Sequence, residues 1–233
     1  MATSHTRRIT RKELRQPDRF QVATEQALEF YQSHKNLVFA AIGGLVLIGI
    51  IILGWQLFKE RQNTAAAHEF TNATELYQSE KYREALPAFE KVQAYRWSLY
   101  AGLAHLYTAN SHIALGELDK ALSSAQRAVT ASRPNTLYRQ LALMTLANAA
   151  EQKNDCRQAI ESYNEAQKIA AAQQAEALLG KARCLEKTGD TAGALTAYKE
   201  YVKDQPGSLM SAKVAELESV KAVPARPAAP VAK

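Results

Sequence analysis

The chain has 233 residues, of which 47% are hydrophobic, and its net charge is +6 at neutral pH. This length fits one membrane segment and one globular domain, and the apolar content is enough for a packed core. Residues 1–36 hold seven of the 29 basic residues and four of the 23 acidic ones, which is half of the positive excess. The remaining residues are mixed in charge, which argues against nucleic acid as a partner.

The first segment is a polar, basic tail over residues 1–36, within which we expect one helix over residues 18–34. Pro17 and Asp18 are typical of a helix start. The larger apolar groups of this helix fall on one stripe, which consists of Phe20, Ala23, Ala27, Phe30 and Tyr31. The stripe indicates an amphipathic helix that lies on a membrane or docks a partner. The alternative is a helix that only leads into the next segment and has no binding role.

The next segment runs from Leu37 to Phe58 and is apolar on every side of a helix. As a helix it reaches roughly 33 Å, and the hydrocarbon core of a bilayer is roughly 30 Å thick. Trp55 and Phe58 lie where aromatic anchors are common, at the water boundary. The apolar run exceeds the roughly 7–15 residues of a cleaved signal. We therefore predict an uncleaved, single-pass membrane anchor over residues 37–58.

The orientation of this anchor follows from the short basic tail, because such tails stay in the cytoplasm while long domains cross with little regard to charge. We expect the tail inside and the large domain outside. Ala40 and Gly44 within the anchor form a small-xxx-small pair. This pair indicates either close helix association, and so a homo-oligomer, or a plain anchor that contains glycine.

After residue 62 the sequence repeats itself in segments 82–92, 118–129, 156–166 and 191–202. Each segment has alanine at its fourth place, with spacings of 36, 38 and 35 residues: Ala85, Ala121, Ala159 and Ala194. Ahead of each segment a second helix is predicted, which ends at a left-handed position such as Gly116, Asn154 or Gly189. Helix pairs of this kind must stack, because no pair buries its apolar face alone. The longest spacing predicts a longer loop near residues 132–135.

These repeats resemble the tetratricopeptide repeat family, whose units are helix pairs of about 34 residues. The best matches are residues 115–122 and 182–206. The resemblance implies an all-α fold, with an α-solenoid of about four helix pairs over residues 64–220 that ends in a capping helix at 209–220. Residues 221–233 are rich in proline and alanine and are expected to be either a disordered spacer or a polyproline II ligand.

The resemblance also implies a concave groove lined by the first helix of each pair. Asn110, Asn148 and Arg183 hold equivalent places in units two to four. In carboxylate-clamp members of the family, such residues hold the C-terminal carboxylate of a bound peptide. Here we expect an extended, partly apolar peptide, bound by Phe70, Tyr77, Leu103, Leu106, Asn110, Leu141, Met144, Asn148, Leu179 and Arg183.

Motifs for catalysis are absent from the sequence, and we expect no enzyme activity, no cofactor and no metal site. His105 and His112 are seven residues apart, but no third ligand stands at a matching spacing, so packing is the preferred interpretation. Cys156 and Cys184 are expected on adjacent helix ends. They form either a disulfide, in an oxidising compartment, or a buried pair of free thiols.

The whole plan resembles the YfgM family of bacterial single-span inner-membrane proteins, whose members are partners of the Sec translocon and are linked to periplasmic chaperones. The resemblance implies a repeat domain in the periplasm that binds exported chains or translocon and chaperone partners. The alternative is a structural scaffold in a cell-division or envelope-assembly complex, which associates through its anchor and its stack.

Overall fold

The computed structural model describes the backbone of residues 19–222 and the side chains of residues 22–219. The tail before Arg19, with the helix start expected at Pro17 and Asp18, and residues 223–233 lie outside this range. The described backbone forms ten helices and no strand. They are α1 (Arg19–Ser33), α2 (Lys35–Gln78), α3 (Tyr82–Gln93), α4 (Leu99–Ala114), α5 (Leu118–Ala131), α6 (Leu137–Gln152), α7 (Cys156–Gln167), α8 (Gln174–Lys187), α9 (Thr191–Asp204) and α10 (Met210–Ala222).

The chain divides into two compact units, residues 1–58 and residues 59–233. In the first unit, α1 falls within the range predicted for the helix, and its Phe30 and Tyr31 are exposed. α2 contains residues 37–58 and is the one described helix that is long and apolar enough to cross a membrane, judged by length and composition. The mean hydropathy of its most apolar window is 2.8, and no residue of that window is buried.

The second unit is a stack of helix pairs. The C-terminal part of α2 packs on α3, and then α4 on α5, α6 on α7 and α8 on α9. The first helices also meet one another, α4 on α6 and α6 on α8, and α10 packs on α9. The predicted all-α solenoid of four pairs with a capping helix is therefore confirmed. The capping helix starts one residue later and ends two residues later than the predicted 209–220.

Every pair closes through the same three-residue turn, in which the chain takes a left-handed conformation. The angle φ is +60° at Glu80, +73° at Gly116, +66° at Asn154 and +86° at Gly189. In each turn the following N–H donates to the carbonyl five residues earlier, as from Glu117 to His112 at 2.8 Å. These bonds satisfy carbonyls that a helix end leaves free. The positions predicted from glycine and asparagine are confirmed, and Glu80 is one that residue type did not reveal.

The predicted crossing points are buried in all four pairs. Ala85, Ala121, Ala159 and Ala194 are each 0% exposed. One turn later, Phe89, Tyr163 and Tyr198 are buried beside them, and Ala125 takes this place in the second pair. A small side chain at the crossing lets two helix backbones approach, and the larger one fills the space next to it.

The longer loop expected near residues 132–135 does not occur. The connection at 132–136 is five residues long, as is the connection at 94–98. The additional length is in α5, which has 14 residues where α3 and α7 have 12. Continuing the helix satisfies the backbone of the extra residues internally, whereas a longer loop would expose it.

A fully buried glutamine fixes the connection between the third and fourth pairs. The Nε2 of Gln140 donates to the carbonyls of Ala166 at 3.1 Å and Ile169 at 3.0 Å. Its Oε1 accepts the backbone N–H of Gln173 at 3.0 Å. A buried amide is stable only when its polar atoms are bonded, and here three backbone groups bond them. Gln140 therefore ties α6 to the six-residue connection at 168–173.

Candidate functional site

A cavity of about 310 Å³, open to solvent, lies between the first helices of the third and fourth pairs. Five of the ten predicted groove residues line it: Leu141, Met144, Asn148, Leu179 and Arg183. The first three are on α6 at helical spacing and the last two are on α8, so one face of each helix supplies them. Three further lining residues were missed by the sequence prediction, namely Thr145, Tyr163 and Glu176. An apolar floor with a few polar groups suits an extended peptide.

The guanidinium group of Arg183 is already held by a carboxylate of the chain itself. Its Nε and Nη2 donate to the two carboxylate oxygens of Glu151, each at 2.8 Å. The hydroxyl of Tyr163 donates to the same carboxylate at 2.7 Å. Burial raises the pKa of Glu151, but the hydrogen bonds from Arg183 and Tyr163 and the charges of Arg183 and Lys187 together outweigh burial, so this pKa is lowered overall. Arg183 thus braces α8 against α6, and only its outer N–H groups remain for a ligand.

The same arrangement recurs 35 residues later, with Glu186 for Glu151 and Tyr198 for Tyr163. The Tyr198 hydroxyl donates to Glu186 at 3.1 Å, and Lys213 of α10 binds Glu186 at 2.6 Å. In both cases the cation comes from the next unit of the stack. Glu151 and Glu186 were not among the residues predicted from the sequence. The signal that identifies these glutamates in the sequence is that a Glu and a Tyr recur together at the same spacing.

Phe70 and Tyr77, the two aromatic residues predicted for the groove, lie in a cluster around Tyr107. Both contact the Tyr107 ring edge-to-face, with centroids 5.4 Å and 5.2 Å apart. Edge-to-face pairs of this kind stabilise a fold by about 0.5–1.5 kcal/mol in addition to the stabilisation that comes from burying the rings. These two rings therefore serve packing between α2 and α4, and they do not line the cavity of the third and fourth pairs.

The three remaining predicted groove residues are on α4. Leu103 is half-buried, and Asn110 accepts the hydroxyl of Thr145 at 3.3 Å. Leu106 is 6% exposed and belongs to the central core. Its side chain is not part of the groove surface, because the face of α4 that carries it packs against its neighbours. The structure therefore separates the ten residues into five that line the cavity, two in an aromatic cluster, one core residue, and Leu103 and Asn110, which do not line the cavity.

Cys156 and Cys184, predicted either as a disulfide or as free thiols, are free and buried in this structure. Burial, and then the neighbouring thiol of Cys156, raise the pKa of Cys184 to about 12. This thiol therefore stays protonated at neutral pH in the folded chain.

A second cavity, of about 480 Å³, lies where α4 and α6 begin. None of the ten predicted groove residues lines it. Arg96 and Arg133 come from the connections before these two helices, and Leu99 and Tyr138 come from their first turns. The Tyr138 hydroxyl donates to the carbonyl of Gly102 and so joins α6 to α4. The wall of the cavity thus contains two arginines, and its other residues are a mixture of polar and apolar groups.

The two histidines of α4 have different surroundings. His105 lines the second cavity, and burial followed by the charge of Arg127 lowers its pKa. The Nδ1 of His112 contacts Glu117 at 2.9 Å. Among the described residues there is no group of three or more side chains that suits a metal ion.

Comparison with known proteins agrees with this architecture. A family model described as a tetratricopeptide repeat-like domain matches residues 29–219. A comparison with curated proteins found no significant match. Three solved structures share the fold: the MamA protein, the tetratricopeptide-like repeats of a kinesin light chain from Podosopora anserina, and BtubC (BKLC) from P. vanneervenii.

The likeness to these structures is one of fold. MamA is 17% identical, with a TM-score of 0.56 over 67% of this chain and 82% of that one. The kinesin light chain repeats are 15% identical, with a TM-score of 0.56 over 68% and 88%. BtubC is 14% identical, with a TM-score of 0.51 over 68% and 80%. Because the family model covers most of the chain and the helix pairs stack as its repeats do, the chain belongs to the tetratricopeptide repeat-like domain family.

Proposed function

We propose that the protein is a membrane-anchored interaction module on the outer face of a bacterial inner membrane. Residues 37–58 cross the membrane, the tail stays in the cytoplasm, and the repeat domain over residues 64–220 lies in the periplasm. The apolar helix and the basic tail support this arrangement. The family fold is one that generally binds proteins or peptides and serves as a non-catalytic scaffold.

The observation that carries the proposal is the cavity between α6 and α8. Its apolar floor, formed by Leu141, Met144 and Leu179, suits a hydrophobic side chain of an extended segment. The exposed amide of Asn148 has donors for a peptide carbonyl, because its described partner, Gln152, bonds only its Oδ1. The ligands that fit are exported chains before they fold, or extended segments of translocon or chaperone partners.

The test is photo-crosslinking in living cells from a probe at Asn148, with mass spectrometry of the adducts. The matched control is a probe at Gln126, an exposed residue on α5 outside the cavity. We expect adducts to exported chains or to translocon subunits from Asn148 and not from Gln126. Equal adducts from both positions would contradict binding through the groove.

A scaffold in a cell-division or envelope-assembly complex is the second candidate, because the face of α2 that carries Ala40 and Gly44 is open. A Cβ added at Gly44 would meet no atom within 4 Å. That face is therefore accessible to a second helix. If the scaffold is the main function, Gly44→Leu disperses the complex in cells, and the Asn148 probe gives adducts only to copies of the same chain.

A further inference from the structure

The exposed large apolar side chains of the repeat unit are concentrated on one edge. Among described residues 59–219 they are Trp97, Leu99, Leu137 and Leu209, with exposed fractions of 55%, 74%, 49% and 87%. All four are in, or directly after, a connection between one pair and the next. We name residues 94–99, 132–138 and 205–209 the loop edge. The opposite edge, made by the three-residue turns, has none of them.

The loop edge is also basic between the first and third pairs. Within the described part of the chain, the guanidinium groups of Arg96 and Arg133 form no hydrogen bond or ion pair, and both side chains are exposed. The sequence has no acidic residue over 91–116 or over 120–150. Glu117 and Asp119 separate these two stretches. Glu117 is in the turn after α4 and Asp119 is in the first turn of α5, so both are at the far end of α4, about 24 Å away along the helix.

The chain tethers this edge to the predicted membrane anchor. The side-chain oxygen of Asn63 accepts the backbone N–H of Leu99 at 3.0 Å, so Asn63 is in contact with the loop edge. Only five residues lead from Phe58, the end of the apolar run, to Asn63. Five residues reach at most about 18 Å even when the chain is fully extended. With residues 37–58 in a bilayer, the loop edge has the headgroup layer within reach.

Taken together, these observations point to one occupant. We propose that the loop edge docks on the membrane surface, with Trp97, Leu99 and Leu137 in the interfacial layer and with Arg96 and Arg133 on the phosphates of anionic phospholipids. This inference rests on the membrane anchor of the proposed function. Tryptophan prefers the interface of a bilayer, and guanidinium groups bind phosphate in a two-pronged manner.

The cavity of about 480 Å³ opens on the same edge and strengthens the choice of an anionic lipid. Arg96 and Arg133 are both part of its wall, on two successive connections, and the exposed Leu99 is part of the same wall. The cavity therefore offers a phosphate two cations and offers the adjoining glycerol and chain an apolar group. Docking would also fix the orientation of the peptide groove relative to the membrane.

The chain offers an internal pair of probes for the test, because Trp55 and Trp97 are its only tryptophans. The full chain is reconstituted in vesicles as Trp55→Phe, which leaves Trp97, and as Trp97→Phe, which leaves Trp55. Fluorescence quenching by lipids brominated near the carbonyl end of their chains then reports each contact separately. The vesicles are either phosphatidylcholine alone or a mixture with phosphatidylglycerol.

We expect lipid quenching of Trp97, stronger with phosphatidylglycerol. Each basic residue near an anionic surface is worth about 1 kcal/mol, so Arg96→Gln or Arg133→Gln should lower the ratio of docked to free protein about fivefold, and both together about 30-fold. Arg157→Gln is the matched control, since this arginine is exposed at the start of α7, on the opposite edge. It should leave the quenching unchanged.

The outcomes separate this inference from the function on which it rests. Quenching of Trp55 without quenching of Trp97 leaves the anchor in place and overturns the docked edge. Absence of quenching at Trp55 overturns the anchor and with it this inference. Quenching of Trp97 that changes neither with the charge of the lipid nor with substitution of Arg96 and Arg133 overturns the recognition of anionic lipids. Shielding of Trp97 in native membranes but not in vesicles shows that a protein covers the edge, which also overturns the proposal.

Discussion

At the scale of single residues, Gly180 lets the ring of Tyr163 pack directly on the backbone of α8. A Cβ built on Gly180 would lie 2.3 Å from Cζ of Tyr163, with two more ring carbons within 2.7 Å. Contacts this short do not occur, so any larger residue must push the ring away. The ring also has its hydroxyl on Glu151 at 2.7 Å, which restricts how far it can move.

We therefore expect Gly180→Ala to lower the free energy of unfolding by about 2 kcal/mol, even though alanine favours helices, because overpacking outweighs helix propensity. Urea unfolding of the detergent-solubilised chain measures this. Gly207→Ala is the control, since a Cβ at Gly207 meets nothing within 4 Å. Equal stability of the two variants would show that the ring relocates without cost.

The carboxylate of Glu151 is the second feature that operates at this scale. Because its pKa is lowered in the folded chain, its contribution to stability is present above the ordinary value of 4.5 and is lost as the pH falls below it. We expect Glu151→Gln to cost about 2 kcal/mol at neutral pH, since it removes charge-assisted hydrogen bonds to Arg183.

The difference between Glu151→Gln and the natural chain should shrink as the pH falls below 4.5, because the natural glutamate then becomes neutral too. Unfolding curves over this pH range measure it. A difference that does not change with pH would show that Glu151 acts through packing and not through its charge.

Cys156 and Cys184 give a third prediction. Both thiols are buried in the same core cluster, on the packed helices α7 and α8. If the repeat domain is in the periplasm, as proposed, we expect a disulfide there, in which the two thiols lose two protons and two electrons to the oxidant. Alkylation in denaturant, with and without prior reduction, followed by mass spectrometry, distinguishes the forms. Two free thiols in chain isolated from cells without reductant would contradict it.

At the scale of helices, the stack is held by contacts between neighbours. The second, third and fourth units each supply a carboxylate to a cation of the element that follows: Asp119 to Lys153, Glu151 to Arg183 and Glu186 to Lys213. The capping helix α10 adds Leu217, which is 8% exposed and packs with Leu178, Leu195 and Tyr198. In a stack of this kind, stability is close to a sum over units and their interfaces.

We expect Leu217→Asp to detach α10 and to lower the stability of the fourth pair by about 3 kcal/mol, because it buries an unpaired charge. Hydrogen exchange should rise in α8 and α9 and much less in α4 and α5. Leu209→Asp is the control, since Leu209 is 87% exposed. A uniform rise over all pairs would show that the stack unfolds as one unit.

The helix pairs were predictable because their signals are local. Gly116, Asn154 and Gly189 mark the turns by residue type, and alanine marks the crossings at one period. Glu80 was not predictable, since a glutamate gives no sign of a left-handed angle. The buried bonds of Gln140 were missed for another reason: its partners are 26 to 33 residues away, and a lone glutamine in a helix resembles any surface glutamine.

At the scale of the whole molecule, the proposed function depends most on the proposed membrane orientation. The two natural cysteines are poor reporters of it, because both are buried in the repeat unit. An engineered cysteine at the exposed Gln126 is a better one, with the unaltered chain as its control.

We expect Gln126→Cys to react with an impermeant maleimide in cells whose outer membrane is permeabilised, while the unaltered chain does not react. Ser4→Cys in the basic tail should be protected until the cells are lysed. The physical reason is that short basic flanks stay on the cytoplasmic side. Labelling of Ser4→Cys in intact cells, with protection of Gln126→Cys, would reverse the proposed topology.

The sequence by itself determined the class of architecture: an apolar helix of membrane length and four helix pairs of one period, since both are written in local patterns of residue type. The tertiary structure alone decided which groove residues come together. Leu106 and Asn148 were both predicted for the groove, yet Leu106 is in the core and Asn148 is exposed. It also paired Arg183 with Glu151 and gathered the exposed apolar groups on one edge. These outcomes depend on how consecutive units rotate and pack, which a repeat period does not encode.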